Sequence, residues 1–128
     1  MSQDTGAGRP VSPVIDGATA NKDRTLLIVD DDAAFRNRTA RAFEQRGFIV
    51  SAVGSVAEAL AQTARPPAFA VIDLRLGDGN GLELVGPLRQ ARPDIRIVVL
   101  TGYGNIATAV AAVKAGAVDY LAKPTDAD

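Results

Sequence analysis

The sequence predicts an α/β fold, a single parallel sheet with helices packed on both of its faces. Three observations carry this expectation. Short apolar runs of strand length alternate with segments of helical periodicity. The run from Phe69 to Ile72 is apolar throughout, as a strand buried on both faces is. Several of the runs also end abruptly in polar residues, at the edge where open α/β sheets place their chemistry. At 128 residues the chain has the length of one domain, enough to bury roughly two thirds of its unfolded surface.

Residues 1–24 are rich in Ser, Gly, Pro, Asp and Ala and are expected to form a disordered tail, followed by a domain over 25–128. The first strand runs from Leu26 to Val29. Phe35, Thr39, Ala42 and Phe43 then recur at helical spacing, and Gly47 is placed to end that helix. Phe48 to Val53 is the second strand. Ser55-Val56-Ala57-Glu58 matches a capping box, opening a helix that Arg65-Pro66-Pro67 stops. Phe69 to Asp73 is the third strand, and a loop containing Gly77, Gly79 and Gly81 follows it. Leu82, Val85 and Leu88 form the inner stripe of the third helix, which Pro87 should bend or shorten. Ile95 to Leu100 is the fourth strand. Ile106, Val110, Val113 and Ala117 stripe the fourth helix, with Gly116 near its end, and Val118 to Ala122 is the fifth strand.

Right-handed crossovers put every strand-to-helix loop on one edge of the sheet. Five strands in this pattern fit the flavodoxin-like order 2-1-3-4-5. The fifth helix of that architecture has no counterpart in the chain. One face of strands one and five is therefore expected to lack a cover, because the chain is cut short or because another chain supplies it.

Composition narrows the chemistry. A formal net charge of -1 gives no electrostatic basis for nucleic-acid binding by these residues. Without cysteine or histidine there is no disulfide framework and no zinc site of the usual kind. Any metal must be a hard cation held by oxygen. No apolar run approaches the ~20 residues that span a bilayer, and the N-terminus has no signal pattern, so a cytoplasmic protein is expected.

In the order 2-1-3-4-5 the ends of strands one, three, four and five are neighbours. Asp30-Asp31-Asp32, Asp73, Thr101 and Lys123 thus converge on one rim. Each has an ordinary structural reading by itself: a helix cap, a loop-capping aspartate, a β-branched strand end, a solvated lysine. Together they support a different one. Crowded carboxylates raise one another's pKa, and Mg²⁺ relieves that repulsion with two or three carboxylates and a loop carbonyl. A carboxylate is also a nucleophile toward phosphorus, and Lys123 and Thr101 suit the phosphoryl oxygens. Gly102-Tyr103-Gly104-Asn105-Ile106-Ala107 formally matches a dinucleotide fingerprint, but it follows the fourth strand rather than the first. Its glycines suit a moving loop better.

With these residues assembled, the sequence resembles the receiver domain of bacterial two-component response regulators, of CheY-like fold. The likeness covers about Thr25 to the C-terminus and rests on Leu27-Ile28-Val29-Asp30-Asp31-Asp32, Val71-Ile72-Asp73-Leu74, Leu100-Thr101-Gly102 and Asp119-Tyr120-Leu121-Ala122-Lys123-Pro124. It implies that Asp73 is the phosphoacceptor. It further implies that Asp30, Asp31, Asp73 and the backbone carbonyl of Arg75 hold Mg²⁺. Thr101 is then the switch hydroxyl, Tyr120 the aromatic switch, and Lys123 the phosphate-binding lysine before a cis-prolyl bond.

Gly102 to Val110 and Asp73 to Gly79 are similar to the redox-responsive global regulators of the RegA/PrrA/ActR type. Most receivers have proline where this chain has Gly77. The resemblance implies a sensor histidine kinase as partner and a homodimer through the fourth helix and fifth strand. It implies contact with DNA only through a helix-turn-helix domain that these residues do not include. Two other readings are an aspartyl phosphatase, disfavoured because position 75 is Arg and not an acid, and a partner-binding module without phosphorylation, disfavoured by the complete acidic set.

Overall fold

The computed structural model describes residues 23–102, 106–117 and 119–123. Most of the expected N-terminal tail, the glycine loop at 103–105, Val118 and Pro124 lie outside the described residues. In chain order the elements are β1 (Thr25–Val29), α1 (Ala33–Gln45), β2 (Ile49–Val53), α2 (Val56–Ala61) with a short 3-10 turn (Gln62–Ala64), and β3 (Phe69–Asp73). A two-residue hairpin follows, β4 (Arg75–Leu76) and β5 (Gly79–Asn80), then α3 (Leu82–Ala91), β6 (Arg96–Thr101), α4 (Ile106–Ala115) and β7 (Asp119–Ala122). The main sheet is parallel throughout in the order β2-β1-β3-β6-β7. This is the predicted 2-1-3-4-5 arrangement, because the β4–β5 hairpin stands apart from it.

The two sheet faces pack differently. Leu27, Val29, Ala70, Ile72, Ile97 and Val99 point into a core closed by α2, α3 and α4. Leu26, Ile28, Phe69 and Val71 point the other way, onto Phe43 of α1 and Phe48. There Phe43, Phe48 and Phe69 stack edge-to-face at 5.5 and 5.4 Å, a geometry that adds quadrupole attraction to burial. Strand one is therefore fully covered, contrary to the expected gap: Leu26 and Ile28 are 1% and 0% exposed. Only the fifth strand behaves as expected on that face, leaving Leu121 47% exposed.

Helix boundaries follow local chemistry. Asp32 caps α1 by accepting from Phe35 N, and Gly47 leaves the helix with a φ of 93° that suits glycine. Two predicted stripes need correction. Ala42 is exposed, and Ala40 packs inward instead. In α4, Val110 faces outward while Ala109 and Ala112 are buried. Small residues are what lets that helix lie close to the sheet.

Pro87 does not shorten α3, which runs ten residues with the proline inside. Gly86 precedes it and has no Cβ to clash with the ring. Both residues are exposed, so water can satisfy the Glu83 carbonyl that Pro87 leaves without a donor.

Near the other end of the sheet, Asp23 accepts from the Thr25 hydroxyl and amide and from Arg92 Nη1 at 2.7, 2.9 and 2.7 Å. These bonds, the Thr25 hydroxyl first, lower its pKa from 3.8 to about 2. A depressed carboxylate stabilises the fold above its unfolded pKa, and that contribution is lost as pH falls through the folded value. Asp23→Asn is thus expected to destabilise the domain in urea titrations at about pH 7, and by clearly less at about pH 2.5. An equal loss at both pH values would contradict this account.

Candidate functional site

Strand register assembles the site. Val29 pairs with Ile72, so Asp30, the residue after β1, lies level with Asp73, the last of β3. Asp73 in turn pairs with Leu100 and Thr101 with Ala122, so Thr101 and Lys123 each fall one step beyond, on the same rim. The Lys123 amide donates to the Thr101 carbonyl at 2.8 Å and prolongs that ladder by one bond.

Asp30 is wholly buried. Its Oδ1 accepts from the Asp32 amide at 2.9 Å and from Lys123 Nζ at 3.0 Å. Nζ also lies 2.9 Å from Asp30 Oδ2, but that oxygen takes no hydrogen bond and keeps its lone pairs. Asp73 accepts from the Arg75 amide on Oδ1 at 3.1 Å and from Lys123 Nζ on Oδ2 at 3.0 Å. Asp31 is exposed, yet one of its carboxylate oxygens lies within 4.8 Å of one from Asp30 and one from Asp73.

One ammonium against three carboxylates leaves the pocket with excess negative charge. Burial pushes the Asp73 carboxyl upward, and Asp30 adds to this; the hydrogen bonds from Lys123 and Arg75 only partly offset it. For Lys123, burial opposes the charged form, but the two carboxylates outweigh it and raise its pKa. An all-oxygen donor set with a buried, unbonded carboxylate oxygen fits a hard divalent cation.

The predicted set is thus largely brought together. Asp30, Asp31, Asp73 and Lys123 form one cluster. Arg75 opens the hairpin with its side chain in solvent and its amide on Asp73. Thr101 is 2% exposed at the rim, but its hydroxyl donates to the Gly102 carbonyl at 3.2 Å and not to a carboxylate. Tyr120 is half-buried against the core on the α4 side.

Two contributors escaped the sequence reading. Asp78, at the tip of the hairpin, accepts from the amides of Val56 and Ala57 at 2.9 and 3.1 Å, capping α2 from a distant loop. Those amides lower its pKa, Val56 first. The capping box that was predicted is also present in altered form: Ser55 accepts from Glu58 N, while Glu58 reaches Gly54 N rather than the cap residue. Asp78→Ala is expected to lower the thermal unfolding midpoint, since two helix amides lose their acceptor. An unchanged midpoint would mean that water replaces the carboxylate without loss.

The second is Gly81. A Cβ there would stand 2.3 Å from the Asp73 carbonyl oxygen and 2.7 Å from Ile72 Cγ2. Only glycine lets the start of α3 lie against the end of β3. The glycine-rich loop was visible in the sequence; which glycine is sterically required was not.

Comparison with known proteins agrees with this geometry. Residues 26–128 match the family described as the response regulator receiver domain. The chain is similar to the photosynthetic apparatus regulatory protein RegA of Cereibacter sphaeroides, 67% identical over 108 residues that make up 83% of this chain and 58% of that protein. It is also similar to the acid tolerance regulatory protein ActR of Sinorhizobium medicae, 59% identical over 120 residues, 93% of this chain and 62% of that protein. The chain spans about three fifths of the length of these curated relatives. Among solved structures, it superposes with a TM-score of 0.75 and 47% identity on a response regulator protein from Burkholderia pseudomallei, crystallised with a phosphorylated aspartic acid, calcium ion and citrate. That match covers 81% of this chain and 62% of the other. By register, rim chemistry and matched length, the chain belongs to the response regulator receiver domains.

Proposed function

We propose that this receiver domain is a phosphorylation switch whose phosphoacceptor is Asp73. The observation that carries the reading is the double restraint on that carboxylate: Arg75 N–H holds one oxygen and Lys123 the other, beside Asp30 and Asp31. A carboxylate so fixed is oriented before its donor arrives, which is where positioning contributes most to phosphoryl transfer.

The donor is the phosphohistidine of a sensor histidine kinase. An Asp73 carboxylate oxygen attacks phosphorus, a P–O bond forms, and the P–N bond breaks. Its electron pair leaves with the imidazole, which takes up a proton. Asp30, Asp31, Asp73 and the Arg75 carbonyl are the ligands proposed for Mg²⁺, which when bound neutralises charge on the phosphoryl oxygens. Lys123 then moves from the carboxylates to a phosphoryl oxygen. Thr101 turns its hydroxyl from the Gly102 carbonyl toward another, and Tyr120 takes the space vacated.

The change favours one conformer of the α4–β7 surface through differential contacts, and that surface mediates homodimerisation. Transcriptional output runs through a helix-turn-helix segment outside these residues, and redox-responsive global control of the RegA/PrrA/ActR type is the regulation proposed. No helix among the described residues is long and apolar enough to cross a membrane, and the proposed location is the cytoplasm.

Incubation with Mg²⁺ and acetyl phosphate tests the core of this reading. The chain is expected to gain one acid-stable, alkali-labile phosphoryl group, and Asp73→Asn to gain none. Equal labelling of the Asp73→Asn variant would place the acceptor elsewhere. Turnover of general phosphomonoesters would favour the phosphatase reading instead.

A further inference from the structure

We propose that Phe35 is a positioning residue for Lys123, its ring face holding the ammonium against the Asp30 and Asp73 carboxylates. This rests on the reading of Asp73 as phosphoacceptor and adds to it a residue outside the charged set.

Lys123 Nζ lies 4.7 Å from the centroid of the Phe35 ring, inside the roughly 6 Å over which a ring quadrupole attracts a cation. The same nitrogen is 3.0 Å from Asp30 Oδ1 and 3.0 Å from Asp73 Oδ2. Ring and carboxylates therefore share one ammonium. The ring itself is fixed from two directions. Its residue sits in the first turn of α1, where its amide donates to Asp32 Oδ1 at 3.1 Å, and it packs partly buried against the Phe43, Phe48 and Phe69 core. Arg38 approaches the same ring less closely, at 5.9 Å, from an exposed position.

A ring face has a property that a fourth carboxylate would lack. It attracts the ammonium without being titratable and without binding a divalent ion. Once a metal draws on the Asp30 and Asp73 charges, their hold on Lys123 weakens, while the attraction of the ring does not. Phe35 thus keeps the ammonium at the pocket mouth, ready for an incoming phosphoryl oxygen. A leucine would fill similar space and leave that hold to the carboxylates alone.

The test replaces Phe35 with 4-fluoro-, 3,4,5-trifluoro- and pentafluorophenylalanine, and with Leu and Tyr, in the full chain. Fluorination drains the ring face while nearly preserving its shape, so it separates attraction from packing. The phosphorylation rate with Mg²⁺ and acetyl phosphate is expected to fall progressively along the fluorine series, by about two- to tenfold at Phe35→Leu, with Tyr retaining the wild-type rate. The Lys123 ε-methylene protons are expected upfield in the wild-type NMR spectrum and at ordinary shifts in Phe35→Leu. Wild-type rates across the fluorine series, or an unshifted ε-methylene in the wild type, would overturn the proposal. If the wild type takes up no phosphoryl group, the reading of Asp73 fails instead, and the ε-proton shift alone decides the Phe35–Lys123 contact.

Discussion

Lys123→Met is expected to cost the domain about 3 kcal/mol in urea unfolding without divalent ions, the scale of removing one partner from a buried ion pair. The side chain of Asp30 is fully buried and that of Asp73 nearly so, and Lys123 is the cation that both contact. Methionine keeps most of the volume, so the loss reports charge rather than a cavity. The cost should shrink in acid, because Asp73 already has a raised pKa and a protonated carboxyl no longer repels Asp30. Mg²⁺ should restore much of it: an ion at a hundred times its dissociation constant contributes about 2.7 kcal/mol. A loss under about 1 kcal/mol, or no recovery with Mg²⁺, would mean that the three carboxylates do not share one charge-balanced pocket.

Gly81→Ala is expected to cost about 2–3 kcal/mol, at the upper end of overpacking, and to slow phosphorylation by up to about a hundredfold, as a displacement near 1 Å can. Neither atom that the new methyl would strike can yield cheaply. The Asp73 carbonyl belongs to β3, the strand that ends in the proposed phosphoacceptor, and Ile72 is fully buried beneath it. Backbone strain is not the cause, since Gly81 has an ordinary helical φ of -58°. Gly47 offers the opposite case, with a φ of 93° and nothing within 4 Å of a Cβ. There alanine should cost about 1 kcal/mol through conformation alone and leave phosphorylation untouched. Equal phosphorylation rates in the two variants would separate Gly81 from the site.

The fold was legible where burial governs the pattern. Phe69 to Asp73 is apolar on both faces and was bounded to the residue, because a strand covered on both sides leaves no ambiguity of period. The rim was legible too, since strand ends in a parallel sheet must share an edge once the order is known. Helix faces were less so. Val110 looked like a core position by size, yet α4 packs through Ala109 and Ala112, and close approach rather than hydrophobicity selects them. The turn of Thr101 toward Gly102, the reach of Asp78 to α2 and the seat of Lys123 on Phe35 all depend on tertiary distances that spacing does not encode.

The ion pair of Lys123 with Asp30 joins residues 93 positions apart, and that with Asp73 joins residues 50 apart. Contacts of such separation carry the greatest loop-closure cost and tend to form late. Asp30 and Asp73 are set side by side by the pairing of β1 with β3, but their shared counter-charge follows β7 and reaches them only through the pairing of β7 with β6. The pocket's charge balance therefore depends on an edge strand far along the chain, and it reports that the described sheet has closed as far as β7.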